Sequence, residues 1–190
     1  RRLINMPKEK ASSVINLGAR YFALVLLGLF NLKLIYFVFA PLTIYPVFWA
    51  LSLFDNATTL LPGNIIFSQG FYFEIIEACI AGAAYYLLLI LNLSTPMDWK
   101  RRAKSLAFVI LTFLLLNIIR IIVFAGLFSL GYQYFDVTHI IAWYLGSTVL
   151  LIAVWFVNVW LFKIKSIPVY SDAMGLIESM QLGNIRTKSD

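Results

Sequence analysis

The 190 residues are 62% hydrophobic and 13% charged, with a mean hydropathy of +0.87 and a formal net charge of +6. Water-soluble domains run nearer half apolar and a quarter charged, and a core able to hide this much apolar surface would leave too little polar surface to face water, so a soluble globular domain is excluded. The basic residues sit in short clusters between apolar runs and form no single face, which argues against a nucleic-acid binder and for charges that mark the cytoplasmic side of a membrane protein.

Taken in chain order, residues 1–20 carry Arg1, Arg2, Lys8, Lys10 and Arg20 and lack the apolar stretch of a signal peptide. They read as a cytoplasmic N-terminal segment of the mature chain. Residues 21–32 are apolar, but about a dozen residues is short for a span. They read either as an interfacial helix or as the first part of a kinked span ending at Pro41. Residues 34–54 form the first full charge-free run, long enough to cross a hydrocarbon core of roughly 30 Å. A loop at 56–70 follows. The second run is 78–97, ending at the helix breaker Pro96. A short loop holding Lys100, Arg101, Arg102 and Lys104 leads to the third, 105–128, interrupted only by Arg120. The fourth is 140–162, followed by Lys163, Lys165 and a tail at 166–190. Putting the three basic clusters in the cytoplasm gives four crossings, with 56–70 outside. The expected fold is all-α: a polytopic transmembrane helix bundle of four to five spans in the plasma membrane. Its transmembrane domain is 21–165, and cytoplasmic segments lie at 1–20 and 166–190. The sequons Asn56-Ala57-Thr58 and Asn92-Leu93-Ser94 fall on opposite sides of that arrangement and decide nothing.

The chain has one cysteine, Cys79, one histidine, His139, and one arginine inside a run, Arg120. A helix rises about 1.5 Å per residue, which puts Cys79 roughly 27 Å above the inner boundary at Met97 and Arg120 roughly 24 Å above Lys104. His139 comes out roughly 36 Å above Lys163, at the outer edge. Three helices thus deliver a thiol, a guanidinium and an imidazole to one outer level. Each has a plainer reading. A lone cysteine in an apolar helix is usually a small hydrophobic filler, a lone histidine at a helix start is usually a surface or capping residue, and an arginine near the outer edge can snorkel to the headgroups. Arg120 has the highest cost, at least about 2.5 kcal/mol inside a span, and such residues usually face the bundle interior or a watery cavity.

The combination has a chemical use. A thiol attacks as thiolate, and in an apolar setting it needs a nearby positive charge. Arg120 supplies that charge or holds the oxyanion of a tetrahedral intermediate. His139 accepts the thiol proton and returns it to a leaving amine. That is cysteine acyl transfer on a peptide bond at the outer face, with Glu74, Glu77 and Asp136 near enough in level to orient the histidine or balance the arginine. One histidine and one cysteine cannot complete an ordinary zinc site, and Gly63 and Gly70 sit in no phosphate-binding pattern, so neither metal nor cofactor is expected.

Glu77-Ala78-Cys79-Ile80-Ala81-Gly82 opening one span, Asn117-Ile118-Ile119-Arg120 late in the next, and His139 with Trp143 and Gly146 opening the last resemble the exosortase/archaeosortase family, closest to its archaeal branch. The resemblance covers about 34–165. It implies a polytopic thiol protease-transpeptidase with Cys79 as nucleophile, Arg120 stabilising thiolate and oxyanion, and His139 as general acid and base. It further implies substrates anchored by a C-terminal sorting signal and an acceptor amine on a lipid headgroup. The sequence departs from many members in placing Ile80 and Ala81, not a hydroxyl residue and glycine, directly after the cysteine. The competing expectation is a non-enzymatic membrane protein, a transporter subunit or assembly scaffold, with Arg120 as a ligand contact. An intramembrane protease that hydrolyses without transfer is a third, differing only in the final acceptor.

Overall fold

A computed structural model of the chain describes residues 32–164 together with 18, 19, 21, 22, 25, 26 and 28. The expectations for the segments 1–20 and 166–190, and for whether 21–32 spans, fall wholly or largely outside the described residues. The described chain is mostly helical, with α1 (Lys33–Ser52), α2 (Glu77–Ile80), α3 (Gly82–Ser94), α4 (Trp99–Ser129), α5 (Phe135–Ile141) and α6 (Ser147–Leu161). Among the described residues, four helical stretches are long and apolar enough to cross a membrane: Lys33–Ser52, Glu77–Ser94, Trp99–Ser129 and Phe135–Leu161. Their number matches the four runs read from the sequence.

Two expectations need correction. The fold is not purely α-helical: 56–70, read as a plain loop, enters a three-stranded antiparallel sheet of β1 (Thr59–Leu61), β2 (Ile65–Ser68) and β3 (Phe71–Glu74), in that order. The turns explain it. Gln69 and Gly70 both have positive φ (53° and 82°) and form a two-residue connection between Ser68 and Phe71, the conformation whose twist suits a tight hairpin. Gly63 and Asn64 (84° and 63°) do similar work between β1 and β2. The branched and aromatic residues between these turns pair well across a pleated ladder. The second correction concerns Lys100, Arg101, Arg102 and Lys104, which are not in a loop. They occupy the first two turns of α4, because lysine and arginine are good helix formers and a charge-free window finds only the apolar part of a helix.

α1 runs toward the sheet, α2 and α3 away from it, α4 back, and α5 and α6 away again. Side-chain contacts fix the two ends. Phe128 of α4 meets Phe71 and Phe73 of β3 (ring centroids 5.2 and 5.9 Å). At the other end Phe108 meets Phe162 (6.0 Å), and Ser105 joins α3 to α6 by accepting from Asn92 (2.7 Å) and donating to Asn158 (2.8 Å). Beside that network Arg102, 5% exposed, donates to the carbonyls of Asn92 and Leu93 through Nη1 (2.8 and 3.0 Å) and of Thr95 and Met97 through Nη2 (2.8 and 3.4 Å). The last carbonyls of a helix lack intrahelical partners, and one guanidinium collects two of those of α3 and two just beyond its end. Tyr85, stacked on Phe39 (3.8 Å) and edge-on to Phe113 (5.0 Å), ties α1, α3 and α4 at mid-height. Polarity is distributed inside out. Asn92, Ser105, Asn117 and Asn158 are at most 1% exposed, whereas Phe37 and Trp160 are 79% exposed.

Candidate functional site

A cavity of about 470 Å³ lies where the sheet meets the helices. Cys79, Arg120 and His139 all line it, together with Glu74, Ala78 and an apolar wall that includes Val47, Phe124, Phe128 and Trp143. The three residues placed at one level by counting helix rise are therefore brought to one space. Each arrives by a different local device.

Cys79 lies in a broken helix. α2 is a single four-residue turn, ended by Ala81 at φ 60° and ψ 42°, after which α3 starts afresh at Gly82. A left-handed residue with a Cβ costs roughly 1 kcal/mol, and such strain gathers at functional sites. The break interrupts the hydrogen-bond ladder, and the Cys79 carbonyl accepts instead from the Asn117 side chain of α4 (2.9 Å). Asn117, 1% exposed and one turn before Arg120, thus fixes the cysteine backbone against α4. Gly82 leaves room for a neighbour. A Cβ there would lie 2.6 Å from the Tyr36 ring of α1 and would push that ring aside.

Arg120 is half-buried on α4, near enough to Cys79 and Tyr85 for its charge to be felt by both. Its Nη1 donates to Ser147 Oγ of α6. His139 is exposed on α5, stacked on Phe135 (5.4 Å, 8° between planes) and edge-on to Phe124 (5.2 Å). Between His139 and Ser147 the helix loosens into a π-helical turn, Ala142–Gly146. In a uniform α-helix eight residues would offset the two by about 80°; one inserted residue brings that to about 20°. The π-turn therefore puts the imidazole that enters the cavity and the hydroxyl that holds the guanidinium on one face.

The expected support from carboxylates is not what the geometry provides. Glu74 lines the cavity, but neither Glu77 nor Asp136 is among its lining residues. Among the described residues no hydrogen bond or ion pair joins any of the three to Arg120 or His139. Neutral groups, Ser147 and Asn117, supply the support, and sequence reading missed both roles. Asn117 could have been found as a polar residue one turn before Arg120 in an apolar run. Ser147 could not, because its placement depends on the π-turn.

Asp55 supports the sheet from outside the apolar helices. Just past α1, it accepts from the Gln69 amide (2.6 Å) and the Ala57 amide (2.9 Å), pinning the β2–β3 turn to the end of α1. These two bonds, the Gln69 one first, hold its carboxyl below the usual aspartate range. Among the described residues no group of three or more histidine, cysteine, aspartate or glutamate side chains could hold a metal ion. The chain matches no family model, no curated protein and no solved structure.

Proposed function

We propose that the chain is a multi-pass membrane protein and a cysteine protease-transpeptidase, acting at the end of the helices that carries the sheet. The observation that carries this is the convergence of Cys79, Arg120 and His139 on one cavity. The membrane reading is supported by the exposed apolar faces, the four helices of crossing length and the aromatic residues at both ends. Trp99 and Trp160 flank the basic end, and Tyr72, Tyr132, Tyr134 and Tyr144 flank the sheet end, as aromatic belts do at membrane interfaces.

In the proposed reaction the Cys79 thiol gives its proton to His139, and the sulfur attacks a peptide carbonyl of a surface protein bearing a C-terminal sorting signal. The carbon–sulfur bond forms as the carbonyl becomes an oxyanion, which the Arg120 guanidinium balances. Collapse of that intermediate breaks the carbon–nitrogen bond. His139 returns the proton to the departing amine, which leaves with the substrate's membrane span. The acyl-enzyme thioester then passes its acyl group to an acceptor amine on a lipid headgroup, and Cys79 is regenerated. Ser147 and Asn117 are positioning residues, one for the guanidinium and one for the cysteine backbone.

The test is co-expression with candidate surface proteins that end in a short motif, an apolar span and a basic tail. Wild-type protein removes that span, Cys79→Ala removes none while inserting normally, and Cys79→Ser is nearly as inactive because a hydroxyl is the poorer nucleophile. Full processing by Cys79→Ala ends the thiol mechanism and leaves the non-enzymatic reading.

A further inference from the structure

The sheet ends in an edge that borders the candidate site. β3 has one neighbour, β2, and the register fixes which of its backbone groups that neighbour uses. The two-residue turn makes Ser68 and Phe71 a hydrogen-bonded pair, and such pairs alternate with unbonded ones along an antiparallel ladder. Phe73 therefore bonds to Ile66, and the series continues in the bond from the Ile75 N–H to the Asn64 carbonyl (3.0 Å). Tyr72 and Glu74 fall between these positions, so their N–H and C=O groups point away from β2. Among the described residues no other backbone group pairs with them.

Among the described residues this edge is open and unprotected. Tyr72 is 70% exposed, Glu74 is exposed, and both line the cavity. Free strand edges are normally blunted by proline, lysine, a bulge or a covering element. β1, at the far side of the sheet, is three residues long and runs directly into Pro62. β3 has no such device across Phe71, Tyr72 and Phe73, and its one charge is Glu74, at the end nearer the cysteine. From there the chain passes through the extended Ile76 (φ −77°, ψ 167°) into the helical turn that holds Cys79.

We infer that the β3 edge is the substrate-binding strand: an extended peptide adds to the sheet as a fourth strand, hydrogen-bonded to the backbones of Tyr72 and Glu74, with the bond to be attacked lying past the Glu74 end at Cys79. The inference rests on the thiol reading of the site and adds the form in which substrate enters it. Strand addition draws affinity from the main chain and specificity only from pockets that alternate side chains reach. The ligand class is therefore an unfolded, extended peptide, not a helix or a folded surface. The spacing fits, because Tyr72 and Glu74 are two residues apart on β3 and an added strand offers matching backbone groups at every second residue.

The probe is acetyl-tetra-alanine chloromethyl ketone, which brings a peptide backbone to a thiol-alkylating group, compared with chloroacetone, which has none. With the full chain in detergent, alkylation of Cys79 is read by mass spectrometry. The peptide reagent is expected to label at least about tenfold faster than chloroacetone, and methylating its amide nitrogens one at a time should slow it about tenfold at alternate positions only. Tyr72→Pro and Glu74→Pro remove N–H groups that β2 does not use, so proline is tolerable there as it is on an edge, and each should slow the peptide toward the chloroacetone rate. No advantage for the peptide, equal sensitivity at every amide, or an advantage that survives both variants overturns strand addition and leaves the thiol site standing. A wild-type Cys79 that neither reagent alkylates overturns the thiol site and the strand with it. The methylated probes need no variant, so a proline substitution that unfolds the hairpin does not remove the test.

Discussion

Arg120 combines a high cost in an apolar helix with a specific partner. A lysine in its place would keep the charge and lose the planar fork of donors that lets one group hold Ser147 and still face the cavity. Arg120→Ala is expected to lower processing at least about a hundredfold, as loss of an oxyanion donor does, and Arg120→Lys to lose most of it. Ser147→Ala leaves the charge but frees the guanidinium, and a loss of about tenfold in kcat with KM unchanged is expected from steady-state rates on a processed substrate. Wild-type rates for Arg120→Lys would reduce the residue to a point charge. At this scale the shared level of Cys79, Arg120 and His139 was legible in the sequence, because helical rise is constant and three spans of known direction can be counted from their basic ends. Of the orienting groups, Asn117 stood out as a polar residue one turn before Arg120, and Ser147 did not. Glu74, Glu77 and Asp136 have the charge that orientation usually requires, yet packing gives the task to a serine and an asparagine. Which residues share a face depends on the helix break at Ala81 and the π-turn at Ala142–Gly146, and neither leaves a composition signal.

The elements divide in the same way. Long apolar runs identify helices because burial over about 20 residues leaves no room for charge. The sheet escaped because its strands are three or four residues long, and their residues suit an apolar loop as well as a ladder. Its turns carried the only signal, a glycine paired with a polar residue at each. Asp55 makes the hairpin sensitive to acid. A carboxyl held below its unfolded value stabilises the pinned state above about pH 4 and loses that contribution as pH falls through the folded value. Protection of the Gln69 amide from hydrogen exchange, corrected for intrinsic rate, should fall below that range in the wild type. In Asp55→Asn it should be low and independent of pH. A second consequence belongs to the far end of α3. Arg102 spans four carbonyls, and a lysine ammonium cannot reach them together. Arg102→Lys should therefore cost about 2 kcal/mol in thermal unfolding in detergent, while Arg101→Lys on the exposed side of the same turn stays within about 0.5 kcal/mol. Equal effects at the two positions would mean that Arg102 acts only as one of the basic cluster. The sequence presents the two arginines identically; only the burial of one separates them.

For the whole molecule, the separation of its ends decides where the chemistry would occur. Lys33, Lys100, Arg101, Lys104 and Lys163 lie at helix termini on one end, and the sheet, α5 and the cavity lie on the other. Short cytoplasmic loops are enriched in lysine and arginine, so the basic end is expected inside and the cavity outside. Arg102 adds to the same bias, since hydrogen bonds to neutral carbonyls leave its charge in place. The prediction is made in a Cys79→Ala background, which removes the only cysteine. A cysteine at Asn56, exposed just beyond α1, should react in intact cells with a thiol reagent that cannot cross membranes, and one at Lys100 should react only after permeabilisation. Neither position is buried in the protein, so differential labelling reports sidedness and not packing. Labelling of Lys100→Cys alone in intact cells would invert the molecule and bring the cavity to the cytoplasmic face. Surface proteins that expose their signal outside could then not reach Cys79, and the sorting reaction would fail on topology even with the three residues lining one cavity.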